Sequence, residues 1–229
     1  PPECVNGTYR IGAWVRDSAA GIGTLTFFDP KTGEFAGLGH PVSDVTTGKL
    51  MPLSSGEATT AEIYSTIKGK NGETGELCGE LRESVIGSLD KNTPVGVFGT
   101  LSGEADGTAI PMAFRQEVQC GPASILSTIE GCEPQEYSIE IEKINICASG
   151  GTKSMVIRVT DKRLLDSAGG IVRGMSGSPI IQNGMLAGAV THVFVNDPTR
   201  GYAVFAESMV EEIDSGAALS APAAYFRAK

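Results

Sequence analysis

The hexapeptide Gly174-Met175-Ser176-Gly177-Ser178-Pro179, followed at once by Ile180-Ile181, is the segment of this chain best suited to chemistry. Glycine takes backbone conformations that a Cβ forbids, so a serine set between glycines can be presented at a tight turn. Such a turn lets amide N–H groups converge on one point, which is what a developing oxyanion needs. The same letters also describe an ordinary Gly/Ser turn before a strand, and short motifs carry a substantial false-positive risk. A serine hydroxyl is a weak nucleophile at neutral pH. It needs a base in reach, and usually a third group that orients the base.

Histidine is the usual base because its pKa lies near the working pH. The chain has two, His40 and His192. His40 follows a strand-like run and is flanked by Gly39 and Pro41, which places it on a rigid loop at a strand end. His192 lies in the apolar, β-rich run Gly188–Val195. A histidine there is expected to be a buried wall residue with a hydrogen-bond partner, although the strand after the nucleophile also often lines a substrate pocket. His40 is therefore the favoured base. The acid is harder to choose among 27 Asp and Glu residues. Asp161 follows the strand-like Met155–Thr160 and opens a short helix over 162–167, for which it is a good N-cap. On position alone it is a cap. Asp44, four residues beyond His40, is the rival and reads as a turn residue.

Two long blocks, Tyr9–Asp44 and Gly169–Phe205, closely resemble the stage IV sporulation protein B peptidase family. These are trypsin-like serine peptidases of spore-forming bacteria. The resemblance implies a triad in the chain order His, Asp, Ser. The histidine of GLGH is then His40, the aspartate of VTD is Asp161 and the serine of GMSGSP is Ser176. One departure stands out: Asp161 precedes Ser176 by only 15 residues, whereas chymotrypsin-like enzymes take their acid from much earlier in the chain. The implied chemistry is acyl transfer through Ser176. The amides of Gly174 and Ser176 form the oxyanion hole, and the strand Thr191, His192, Val193, Phe194 and Val195 borders the specificity pocket and pairs with an extended substrate. The family further implies a signalling peptidase secreted into the space between the two membranes of a developing spore. There it cleaves a membrane-associated regulatory protein, and also itself. Family members carry a membrane-targeting segment and their own PDZ domain upstream; neither is evident in this sequence.

Composition bounds the rest. A chain of 229 residues can bury a sizeable core. Thirty glycines and only 6% aromatics fit short strands with many turns better than helices. A net charge of −9 argues against a nucleic-acid partner, which calls for a basic face. The five cysteines include no C-x-x-C pair and no His/Cys cluster, so neither a metal nor a cofactor is expected. No signal peptide and no apolar run of about 18 residues is present, so no membrane span is expected.

Strands are expected over 8–15, 23–28 and 34–38, with Asp29–Gly33 as the intervening turn that delivers His40 to a hairpin end. A strand is expected over 58–68, and Pro94 marks a turn into an edge-like strand. Tyr137–Glu142 alternates as a half-exposed strand should. Asn183-Gly184 between two apolar runs is the strongest hairpin signal. Residues 201–205 form a further strand, 206–214 a helix and 215–229 a loose or docked tail. Together these predict a mainly β protein of two packed antiparallel β-barrels, chymotrypsin/trypsin-like, with short helices including one near the C-terminus. Residues 1–115 carry His40, and 116–229 carry Asp161 and Ser176, with the site in the cleft between. Two other function classes compete. A catalytically inactive peptide-binding module could keep this fold, but the intact His40, Asp161 and Ser176 argue against it. An α/β-hydrolase elbow needs a final glycine where Ser178 stands, and a helix where a strand follows.

Overall fold

Period-2 patterning builds the second half of the chain. Tyr137, Ile139 and Ile141 are buried while the residues between them face outward, and Met155, Ile157 and Val159 repeat the pattern. The computed structural model describes residues 3–5, 8–10, 20–44, 46–103, 107–147, 151–213 and 224–228. Its strands are β1 (Glu3–Val5), β2 (Thr8–Arg10), β3 (Leu25–Phe28), β4 (Glu34–Gly37), β5 (Gly56–Ile67), β6 (Glu76–Thr93), β7 (Gly96–Leu101) and β8 (Gly107–Pro111). They continue with β9 (Gly121–Ser127), β10 (Gln135–Ile144), β11 (Met155–Val159), β12 (Pro179–Gln182), β13 (Met185–Phe194), β14 (Asp197–Phe205) and β15 (Ala224–Ala228). Helix α1 (Lys162–Ser167) follows β11, and α2 (Ala206–Ile213) follows β14.

Six strands close into an antiparallel barrel in the order β10-β11-β14-β13-β12-β9. Seven form an antiparallel sheet in the order β5-β6-β7-β4-β3-β15-β8. The fold is mainly β with a helix near its C-terminus, as expected, but the sheet carrying the His40 loop stays open. Its edges diverge because β6 meets β7 only over Gly87–Thr93, while its first half pairs with β5 as a two-stranded ribbon. Pro94 falls in the β6–β7 turn and not at a sheet edge. The Asn183-Gly184 hairpin forms with both residues at positive φ (52° and 76°), as a two-residue turn matched to strand twist requires. Expected strand residues 11–15 and tail residues 215–223 and 229 lie outside the described residues, as does Asp214 at the expected helix end.

The strand β13 is buried on both faces, so it reads as an apolar run without alternation. Val190 and Ala187 enter the barrel core with Ile125, Ile157 and Phe205. Leu186 and Ala189 point the other way, into a second cluster with Phe27, Ala36 and Phe98 of the sheet and Met209 of α2. That second cluster clamps sheet to barrel. Phe27 alone, fully buried, contributes about 1.5–3 kcal/mol of apolar transfer. No helix among the described residues is long and apolar enough to cross a membrane.

Candidate active site

Strand β4 ends at Gly37, and the chain then turns sharply. Gly39 N–H donates to Gly37 O at 2.8 Å, closing a γ-turn on Leu38, whose φ is 64°. A leucine in that left-handed region costs about 1 kcal/mol, and the cost is met by seating the loop on the barrel. A Cβ on Gly39 would stand 3.1 Å from Thr191 Cγ2 and from Val204 Cγ1. The imidazole of His40 is thereby carried to the barrel face.

The Ser176 turn is stitched to the sheet. Thr24 N–H donates to Ser176 O at 2.8 Å, and the Thr26 hydroxyl donates to Gly177 O at 2.8 Å. Gly177 N–H donates to Val190 O at 2.8 Å, and Ser178 N–H to Met175 O at 3.0 Å. Gly177 has a φ of +88°, and a Cβ there would sit 2.1 Å from Thr24 O, so only glycine fits. Met175 turns away from the hydroxyl into the barrel core, fully buried, with Val172 N–H donating to its Sδ at 3.4 Å.

His40 Nε2 lies 2.9 Å from Ser176 Oγ, and His40 Nδ1 lies 2.9 Å from Pro41 O. A carbonyl only accepts, so Nδ1 carries the proton and the neutral ring offers a lone pair at Nε2. That is the tautomer a general base needs. The hydroxyl has a second acceptor, Thr191 O at 3.0 Å. Arg173 O accepts from Leu77 N–H at 2.9 Å, which fixes the next peptide plane. Because the bond is trans, Gly174 N–H points the opposite way. Neither Gly174 N–H nor Ser176 N–H has an acceptor among the described residues.

The structure does not bring Asp161 to this pair. Its carboxylate caps α1, accepting from Arg163 N–H at 2.9 Å and from Arg163 Nη2 at 2.8 Å. It also accepts from Ser138 N–H at 3.3 Å. The Arg163 guanidinium, ahead of these backbone donors, lowers its pKa from 3.8 to about 2. In this structure Asp161 sits as the cap of α1, and the atom facing His40 Nδ1 is the Pro41 carbonyl. Asp44 is a turn residue, accepting from the backbone N–H groups of Thr46 and Thr47 at 3.0 and 2.7 Å.

A cleft of about 260 Å³ opens beside the pair. Of the expected substrate strand, Thr191, His192 and Val193 line it. Phe194 and Val195 do not: Phe194 packs on Tyr202 at 4.7 Å, and Val195 is exposed with its carbonyl accepting from Gly72 N–H at 2.9 Å. Thr74, Ile171, Val172 and Arg173 line it too, none of them singled out by the sequence. The apolar pair before Gly174 was the available signal. His192 is exposed, not the buried wall residue expected. Its ring lies 4.9 Å from that of His40. Loss of hydration on that side, then the positive charges that His40 and Lys153 can carry, lower its pKa to about 4, so it is neutral at pH 7. The described residues hold no group of His, Cys, Asp or Glu suited to a metal.

No curated protein matches the chain. Among solved structures, the Rv3671c protease from M. tuberculosis in its active form is 13% identical with a TM-score of 0.44, over 88% of this chain and 82% of that one. Its inactive form is 13% identical with a TM-score of 0.43, over 69% of this chain and 88% of that one. A family model described as SpoIVB peptidase S55 matches residues 7–210. That span runs through both the His40 loop and the Ser176 turn, and the chain belongs to the SpoIVB peptidase S55 family as a serine peptidase.

Proposed function

We propose that the protein is an endopeptidase in which Ser176 is the nucleophile and His40 the general base. The observation that carries this is the 2.9 Å contact between Ser176 Oγ and His40 Nε2, beside two amides left free to receive an oxyanion. Ser176 Oγ bonds to the scissile carbonyl carbon as its proton passes to His40 Nε2. The carbonyl oxygen takes the negative charge and accepts from Gly174 N–H and Ser176 N–H. The C–N bond then breaks, and His40 returns the proton to the leaving amine. Water, deprotonated by the same imidazole, releases the acyl group. Throughout, the Pro41 carbonyl keeps the proton on Nδ1 and meets the imidazolium with a dipole where other enzymes use a carboxylate.

Beyond Val190 the outer edge of β13 has no strand partner among the described residues over Thr191–Val193, since β12 pairs only as far as Ala189. An extended substrate adds there as a strand, with its side chain at the cut entering the apolar cleft. In this reading residues 1–115 supply the base and 116–229 the nucleophile. The likeness to the sporulation family supports a substrate that is a membrane-associated regulator between the two membranes of a developing spore, cleavage of the enzyme's own chain, and an upstream PDZ domain. The test is labelling with a fluorophosphonate. Wild type should be modified at Ser176, and Ser176→Ala should lose both label and peptide cleavage while melting normally. A wild-type protein that neither labels nor cuts is a peptide-holding module instead.

A further inference from the structure

An aromatic row leads away from the cleft along β13 and β14. His192 and Tyr202 are cross-strand partners, and Tyr202 meets Phe194 at 4.7 Å. Two cations lie on this row. Arg200 stands 5.5 Å over the Phe194 ring and donates to Glu142 Oε2 at 2.7 Å. Lys153 Nζ stands 4.9 Å over the Tyr202 ring. Unlike Arg200, Lys153 has no carboxylate partner among the described residues. Its loop is tied to the substrate edge, because the Thr191 hydroxyl donates to Thr152 O at 2.7 Å. Lys153 is also close enough to lower the pKa of His192.

The cleft has the same bias. Arg173 is in its wall, and no Asp or Glu among the described residues lines it. A chain of net charge −9 repels acidic peptides at long range, but Lys153 and Arg173 make the local field around the cleft favourable to an anionic occupant. Side chains of an added strand alternate in direction. If the residue before the cut points into the cleft, the second and fourth residues before it lie on the His192 side.

We propose that Lys153 is a specificity-determining residue that reads a carboxylate two or four residues before the scissile bond, so that the substrate class is an acidic extended peptide. This rests on the endopeptidase reading above. It supplies that reading with a substrate preference carried by a side chain outside the Ser176–His40 pair.

The test uses matched peptides with Glu, Gln or Lys at those two positions and an unchanged cleavage residue. For wild type at low salt, kcat/KM should favour Glu over Gln by about fivefold, chiefly through KM, as expected for a rim charge pair. The ratio should shrink with added salt. Lys153→Gln should bring the ratio to about one, and Lys153→Glu should favour the Lys peptide. Equal rates for Glu and Gln in wild type, or a preference that survives in Lys153→Gln, overturn the proposal. Binding of the same fluorescent peptides to Ser176→Ala separates the two claims. A Glu preference in affinity without any cleavage by wild type removes the endopeptidase reading and leaves Lys153 as a carboxylate reader. Cleavage without a charge preference does the reverse.

Discussion

Replacing Asp161 decides whether His40 is oriented by a carboxylate or by a backbone carbonyl. The structure gives Asp161 three tasks: it caps α1, pairs with Arg163 and accepts from Ser138 N–H. Asp161→Ala removes an N-cap worth about 1 kcal/mol. It breaks an ion pair with an exposed arginine, which adds little in water, and a backbone hydrogen bond worth up to about 1 kcal/mol. The sum is about 2 kcal/mol, which lowers Tm by roughly 4–8 °C in a chain of this size. Asp161→Asn keeps the cap acceptor and should cost about half as much. The carboxyl is held at about 2, below its ordinary 3.8, so its stabilisation is complete above about pH 4 and lost as pH falls toward 2. Asp161→Ala should flatten the acid limb of stability in that window. Below the melting range, kcat/KM per phosphonate-titratable site should stay within about threefold of wild type. A triad acid behaves differently: its amide variant loses about 10⁴ in turnover with the fold intact. A hundredfold or greater loss at unchanged Tm would refute the reasoning and require Asp161 to reach His40.

Two further outcomes follow from packing. Gly177→Ala should abolish phosphonate labelling and lower Tm, because its Cβ meets Thr24 O at 2.1 Å and Leu38 N at 2.6 Å, both backbone atoms that cannot step aside; normal labelling with a normal melt would contradict this. Phe27→Ala should cost about 3–5 kcal/mol, a fall of roughly 10 °C in Tm by calorimetry, since Phe27 is fully buried in the cluster joining sheet to barrel. A shift under about 2 °C would show that this contact does not hold the halves together.

Local chemistry was legible in the sequence where one residue type satisfies one backbone demand. Asn183-Gly184 announces a turn with two positive φ angles, and the alternation of Tyr137, Ile139 and Ile141 announces a strand with one wet face. Asp161 was legible as a cap for the same reason. What stayed hidden depends on pairing or on atoms without a letter. The long β6 strand was not read because Glu80–Val85 are all exposed, so burial imposes no alternation there. The open edge of the first sheet depends on how far β6 outruns β7. The partner of His40 Nδ1 is a main-chain oxygen, which every residue possesses and no motif marks. The resemblance named a histidine and a serine whose side chains lie in contact in the fold. For the third position it named an aspartate whose side chain is engaged elsewhere.

The hydrogen bond from Thr26 to Gly177 spans 151 residues of chain. A contact of such long sequence separation requires the intervening chain to be closed first, at an entropic cost. A ribosome-bound or half-collapsed polypeptide therefore carries serine and histidine that have not yet met. Competence to hydrolyse arrives with the final docking of barrel on sheet, so an immature chain is spared attack by its own unassembled machinery.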